Sequence, residues 1–286
     1  RVNEAGVDFY KRLIDLLRTK GIEPWITLYH WDLPSALERH GGWRNRDTAY
    51  AFADYAAILA DRLKDHCQHW ITHNEPWCVA VLGQRTGEHA PGLQDPAACL
   101  RAAHHVLLSH GLAVPRLRQV IPNAKVGITL NLNPCYPANP DSARDRQATV
   151  EMDGDFNRWY LDPVFRGSYP EDMLRLHREA GLLPDERELI QSGDLAQIAQ
   201  PIDFLGVNFY SRLVMGDRGP AEEAAKSNPD RYTQMGWEIY PQGLSDLMER
   251  LAHDYPAKAY YITENGAAYP DTVTPDVTPL PFERNG

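Results

Sequence analysis

Trp70-Ile71-Thr72-His73-Asn74-Glu75 is a short apolar run that stops at an amide and a carboxyl. Its strand-like part, Trp70-Ile71-Thr72, follows Phe52, Ala56, Leu59 and Leu63, whose spacing marks one face of a helix. The same unit recurs on both sides. Upstream, Val7, Tyr10, Ile14 and Leu17 predict a helix over residues 4–20 closed by Gly21, and Pro24-Trp25-Ile26-Thr27-Leu28-Tyr29 reads as the next strand. Downstream, Asp95-Pro96 places an N-cap before a first-turn proline, opening a helix to about residue 120 ahead of a strand from Lys125 to Leu130. Helical stretches near 141–160, 171–180 and 184–192 lead to Phe204-Leu205-Gly206-Val207, and one over about 242–254 leads to Tyr260-Tyr261-Ile262-Thr263. Helix alternates with apolar strand five times, which demands parallel strands joined by helical crossovers, an α/β fold. No linker rich in Gly, Ser or Pro divides residues 1–286, so a single domain is expected, with 212–236 as an irregular excursion from it.

The strands run into His30, Asn74-Glu75, Asn131, Asn208 with Tyr210, and Glu264-Asn265. Polar groups at the C-terminal ends of parallel strands converge on a ligand site in both barrels and open doubly wound sheets. The open sheet usually binds nucleotides through a glycine-rich turn, and no such motif follows any strand, so a TIM (β/α)8 barrel is favoured. The strand ends at 30, 74, 131, 208 and 264 lie 44, 57, 77 and 56 residues apart. Eight such units need roughly 450 to 470 residues. The expectation is therefore about five of eight units, roughly the third to the seventh, of a catalytic barrel truncated at both ends.

The composition narrows the function classes. A net charge of −10 with dispersed basic residues makes a poor polyanion binder, arguing against nucleic acid or an anionic membrane as partner. No apolar run has membrane-spanning length. The four cysteines are scattered with no C-x-x-C pair, so the expectation is a cytoplasmic protein with reduced thiols; the opening Arg1-Val2-Asn3-Glu4 has no Met, which leaves an upstream targeting segment open. The histidines His66/His69, His104-His105 and His110 lack a carboxylate ligand at suitable spacing and read as packing or surface groups, so no metal is expected.

Glu75 and Glu264 each close an apolar strand beside an Asn. One strand-end Glu is usually a solvated surface group, but two at matching places in a parallel array point into one mouth. Paired carboxyls are what glycoside hydrolysis needs, one to protonate the leaving oxygen and one to attack or to activate water. The aromatics Trp25, Tyr29, Trp31, Trp43, Trp70, Trp77, Tyr210 and Trp237 are expected around the same rim, Trp25 and Trp70 as core, and Trp31, Trp77 and Trp237 as platforms for a sugar face.

At these residues the chain resembles glycoside hydrolase family 1, and within it the bacterial β-glucosidases. The resemblance rests on six segments in the family's order: Leu28-Tyr29-His30-Trp31-Asp32-Leu33-Pro34, Thr72-His73-Asn74-Glu75-Pro76, Gly87-Glu88-His89-Ala90-Pro91-Gly92, Phe204 to Tyr210, Gly236-Trp237-Glu238-Ile239-Tyr240-Pro241, and Tyr261-Ile262-Thr263-Glu264-Asn265-Gly266. It implies a retaining hydrolase acting on small β-linked glycosides without metal or organic cofactor, Glu75 being the acid/base and Glu264 the nucleophile. It further implies that His30, Trp31, Asn74 and Asn208 hold the sugar, that Tyr210 donates to the nucleophile, and that Cys78, Leu82, His89, Asn131 and Trp237 line the leaving-group side. The family's first-strand Gln, second-strand Arg and eighth-strand Trp-rich segment have no counterpart in these residues, and the segment from Pro275 onward drifts from the family pattern. Two other readings stay open at this point: a 6-phospho-β-glycosidase of the same fold, and a catalytically silent sugar-binding fragment.

Overall fold

The computed structural model describes residues 2–183, 185–216, 219–220 and 231–270. Five parallel strands form its centre: β1 (Trp25–Tyr29), β2 (His69–Asn74), β3 (Lys125–Asn131), β4 (Phe204–Asn208) and β5 (Tyr260–Glu264). Their order in the sheet is their order in the chain. Every crossover therefore winds the same way, as in a barrel; a doubly wound sheet would reverse at a switch point. The three central strands are buried almost throughout, which is why they read as unbroken apolar runs, while β1 and β5 at the edges are partly exposed.

The sheet is also curled. Trp25 and Tyr261 sit on opposite edge strands, which a flat sheet would hold roughly 19 Å apart at four strand spacings. Their ring centroids are 4.4 Å apart, and both rings meet Phe204, at 4.8 and 5.5 Å. Gly127, opposite Phe204 on β3, makes this possible, because a Cβ there would stand 2.5 Å from the Phe204 ring. The architecture is an arc of a TIM barrel.

Helices cover the convex side. The amphipathic face of α1 (Glu4–Thr19) buries Val7 and Ile14, and α2 (Asp47–Leu63) packs an alanine-rich face against α3 (Pro96–Val120). The predicted start of α3 is present: the Asp95 carboxylate accepts from the Ala97 and Ala98 N–H groups at 2.9 and 3.0 Å. His104, His105 and His110 are buried on this helix, as packing groups.

The helical stretch expected near 141–160 is present and contains a wide turn: Ala143–Asp153 passes through a π-helical turn, Gly154–Arg158, into Trp159–Arg166. The wide turn lets Asn157 donate to both the Asn133 carbonyl and the Asp153 carboxylate at 2.8 Å, holding this helix under the end of β3. Among the described residues of 184–192, only Glu186–Leu189 is helical. Trp25 lies at the N-terminal end of β1, away from the rim, stacked on His69 at 4.3 Å, whereas Trp70 is fully buried as expected. Beyond the C-terminal ends of β3 and β4, Cys135–Pro137 pairs in parallel with Leu213–Gly216, so the excursion after β4 carries a second small sheet. No helix among the described residues is long and apolar enough to cross a membrane.

Candidate active site

Parallel strands place their last residues at one end of the arc, where His30 just after β1, Asn74 of β2, Asn208 of β4 and Thr263 of β5 share a hydrogen-bond network. Asn208 is its hub. Its amide N–H groups donate to Asn74 Oδ1 at 3.1 Å and Glu75 Oε1 at 2.7 Å, while its Oδ1 accepts from Thr263 Oγ1 at 2.6 Å. Asn74 donates onward to His30 Nε2 at 3.2 Å, so that nitrogen accepts and the ring proton sits on Nδ1. Trp31 Nε1 donates to the Asn74 carbonyl at 2.9 Å. Residues more than 230 positions apart, from His30 to Thr263, thus share one chain of amides and hydroxyls.

Glu75 is buried at 6% exposure and its backbone is left-handed, φ 47°. A non-glycine residue there costs on the order of 1 kcal/mol or more, so neighbouring bonds must hold it. Its N–H donates to the Thr129 carbonyl at 2.9 Å, and its own carbonyl accepts from Cys78 N–H at 3.0 Å, in the tight turn that leads into a π-helical segment over Cys78–Thr86. The strand therefore turns sharply into a helix at Glu75, which throws the carboxyl towards the arc's axis. Cys78 Sγ donates to Glu75 Oε2 at 3.1 Å, and Asn131 Nδ2 lies 3.9 Å from that sulfur. Burial first, and then the two carboxylates Glu75 and Glu264, push the Cys78 thiol far above its ordinary range, so it stays neutral and acts as a donor.

Glu264 is half-buried at the end of β5, in register with Asn208. Phe209 N–H donates to the Glu264 carbonyl at 3.0 Å and Asn265 Nδ2 donates to the Phe209 carbonyl at 2.7 Å, locking the ends of β4 and β5 together. Tyr210 Oη donates to Glu264 Oε2 at 2.5 Å. That phenol is held well above its usual range by burial first, then by the bond to Glu264, with Glu75 and Cys78 adding to it. Its hydroxyl thus senses both carboxylates.

The remaining expected residues lie around this centre. Trp237, 40% exposed, is 5.2 Å from Tyr210 between ring centroids, and the Arg212–Glu238 pair at 2.7 and 3.0 Å anchors its segment. His89 sits 5.1 Å from Trp31, and its N–H donates to the Leu82 carbonyl at 3.0 Å. A cavity of about 200 Å³ opens between Trp31, Cys78 and His89. Trp77 is a correction: it packs on Phe156 at 4.6 Å, in the helix layer. Thr263 is the residue that sequence reasoning missed, because a threonine inside a strand reads as a β-branched filler.

A barrel arc whose strand ends bring two glutamates into one polar mouth defines the class of barrel enzymes that work by paired carboxyls. Comparison with known proteins narrows this. The pattern of glycosyl hydrolase family 1 matches residues 1–278, and the chain belongs to that family. Beta-glucosidase A of Acetivibrio thermocellus is 44% identical over 96% of this chain and 61% of its own length. Among solved structures, the AHE enzyme from Alicyclobacillus herbarius superposes with a TM-score of 0.88 at 44% identity, covering 96% of this chain and 61% of that one. The beta-glucosidase from Thermotoga maritima in complex with galacto-hydroximolactam does so with a TM-score of 0.85 at 38% identity and the same coverage. The chain thus spans about three fifths of the length of the proteins it matches.

Proposed function

We propose that the protein is a retaining β-glycosidase that hydrolyses terminal β-D-glucosides through a covalent glycosyl-enzyme. The observation that carries this reading is that two carboxyls stand at the same end of the arc: Asn208, whose backbone pairs in register with Glu264, reaches the Glu75 carboxyl at 2.7 Å. In the first step the Glu264 carboxylate attacks the anomeric carbon as the bond to the leaving oxygen breaks, and Glu75 gives that oxygen its proton. In the second, Glu75 takes a proton from water, whose oxygen displaces the Glu264 ester and releases the sugar with its β configuration restored. Protein groups and water supply every proton and electron pair.

The neighbours suit these roles. Tyr210 holds one Glu264 oxygen, leaving the other to attack. His30, Trp31, Asn74 and Asn208 present amides, a ring nitrogen and a flat ring to sugar hydroxyls and faces. The cavity beside Cys78 and His89 adjoins Glu75 through the Cys78 thiol, which supports it as the route for the leaving group. The similarity to proteins named beta-glucosidase supports glucosides as the substrate class. The test is Glu264→Gly in the natural full-length protein: added azide should restore turnover and give an α-glycosyl azide. Unrescued inactivity, or a β-azide, would overturn the assignment.

A further inference from the structure

Asn208 presents an amide whose two ends are almost the same size, so something must decide which end faces Glu75. Asn74 Oδ1 favours the nitrogen throughout, whereas Glu75 Oε1 favours it only while that oxygen carries no proton. The reaction proposed above cycles Glu75 between protonated and ionised forms. A protonated Glu75 could turn the amide around, donating from Oε1 into the Asn208 oxygen and trapping its proton away from the substrate. Thr263 stands in the way of that exchange. Its hydroxyl donates to Asn208 Oδ1 at 2.6 Å, occupying the oxygen from the far side.

The Thr263 side chain is itself held in place. Its methyl lies over Gly206, where a Cβ would come within 3.1 Å of Thr263 Cγ2, so the absence of a side chain at Gly206 makes the seat for the methyl. Asn208 is 1% exposed, which leaves water little access to replace the hydroxyl. Losing the hydroxyl would therefore leave a buried acceptor without its partner.

From this geometry we infer that Thr263, on the strand of the proposed nucleophile, is a positioning residue for the acid/base: by fixing the Asn208 amide it keeps the Glu75 proton on Oε2 and off Oε1. The inference rests on the retaining-glycosidase reading. With Oε1 accepting from the amide, Oε2 is the oxygen that delivers the proton, its remaining lone pair still accepting from the Cys78 thiol at 3.1 Å, and the hydrogen-bond chain Thr263, Asn208, Asn74, His30 runs in one direction from hydroxyl to imidazole.

Two variants of the natural full-length protein separate the hydroxyl from the methyl. Thr263→Val keeps the packing on Gly206 and removes the donor; Thr263→Ser keeps the donor and removes the methyl. For glucosides with poor leaving groups, Thr263→Val should lower kcat/KM about tenfold, the loss of one buried hydrogen bond. For activated aryl glucosides, which need little protonation, it should fall less than about threefold. Thr263→Ser should stay within about threefold of the parent on both. Because Thr263 is argued to act through Asn208, the double variant Thr263→Val/Asn208→Ala should be no slower than Asn208→Ala alone.

Equal losses on both substrate types, failure of Ser to restore what Val removes, or losses that multiply in the double variant would each overturn the inference. Glu75→Ala run alongside separates this result from the reading beneath it. If Glu75→Ala itself shows no dependence on leaving group, the acid/base assignment fails. If it does and Thr263→Val does not, only the role of Thr263 fails.

Discussion

The ends of β2 and β5 carry the two glutamates in opposite settings. Glu75 is buried, forced into a left-handed turn, and met by two neutral donors, the Asn208 amide and the Cys78 thiol. Its strand is backed by α3 through Thr72 with His110 and His73 with Ser109, both at 2.7 Å. Glu264 closes β5 with an ordinary strand backbone, and one of its carboxyl oxygens is held by a phenol, Tyr210, at 2.5 Å. The contrast matches the division of labour proposed here. A proton-transfer group benefits from an enclosed position that fixes which oxygen carries the proton. A nucleophile needs one oxygen held and the other open to the anomeric carbon.

The largest expected effect separates the two ends outright. Glu264→Ala should lower kcat/KM on every substrate by about 10⁴-fold or more, since no other group can form the intermediate. Glu75→Ala should cost about 10² to 10⁴-fold on poor leaving groups and spare glycosylation by activated aryl glucosides. Losses of equal size on both substrate classes in both variants would erase the distinction between the strands. Next in size, Tyr210→Phe removes the donor to a charged oxygen and should slow turnover by about 10 to 100-fold without a change in leaving-group dependence. A loss confined to poor leaving groups would instead place Tyr210 on the side of Glu75.

The smallest effect concerns the packing behind β2. Burial pulls His105 down to about 4 and His110 to about 3, the former despite its bond to the Trp43 carbonyl. Both rings are neutral when folded, while the unfolded chain binds protons below about pH 6.5. Stability is therefore fully present above about pH 6.5 and is lost as pH falls towards 4, by about 2 kcal/mol per histidine on reaching pH 5. Thermal melts of the natural full-length protein at pH 7 and pH 5 should differ by several degrees, and His110→Gln should narrow the gap. A melting temperature unchanged between those pH values would contradict the neutral burial of these rings.

Much of this arrangement was readable in the sequence because parallel strands announce their functional ends. An apolar run that stops at Asn-Glu or Glu-Asn has its direction fixed by the chain, so Asn74, Glu75, Asn208 and Glu264 could be placed in one mouth before any coordinates. Trp25 shows the same rule misapplied, since the first residue of a strand belongs at the opposite end of the sheet. Trp77 follows Glu75 closely in sequence, yet the helical turn starting there aims it at Phe156. The role of Thr263 depends on which atom of Asn208 it meets, and the link from Cys78 to Glu75 depends on the left-handed backbone at Glu75. Neither feature leaves a periodicity to read.

The central claim is that Glu264 forms the covalent bond to sugar. A 2-fluoro-substituted glucoside with a good leaving group slows the second step and should accumulate the intermediate on the natural full-length protein. After digestion, mass spectrometry should find one sugar equivalent on the peptide carrying Tyr261-Ile262-Thr263-Glu264, lost again on prolonged incubation in water. A label on the peptide carrying Asn74-Glu75, or no label while the parent glucoside is turned over, would contradict the account.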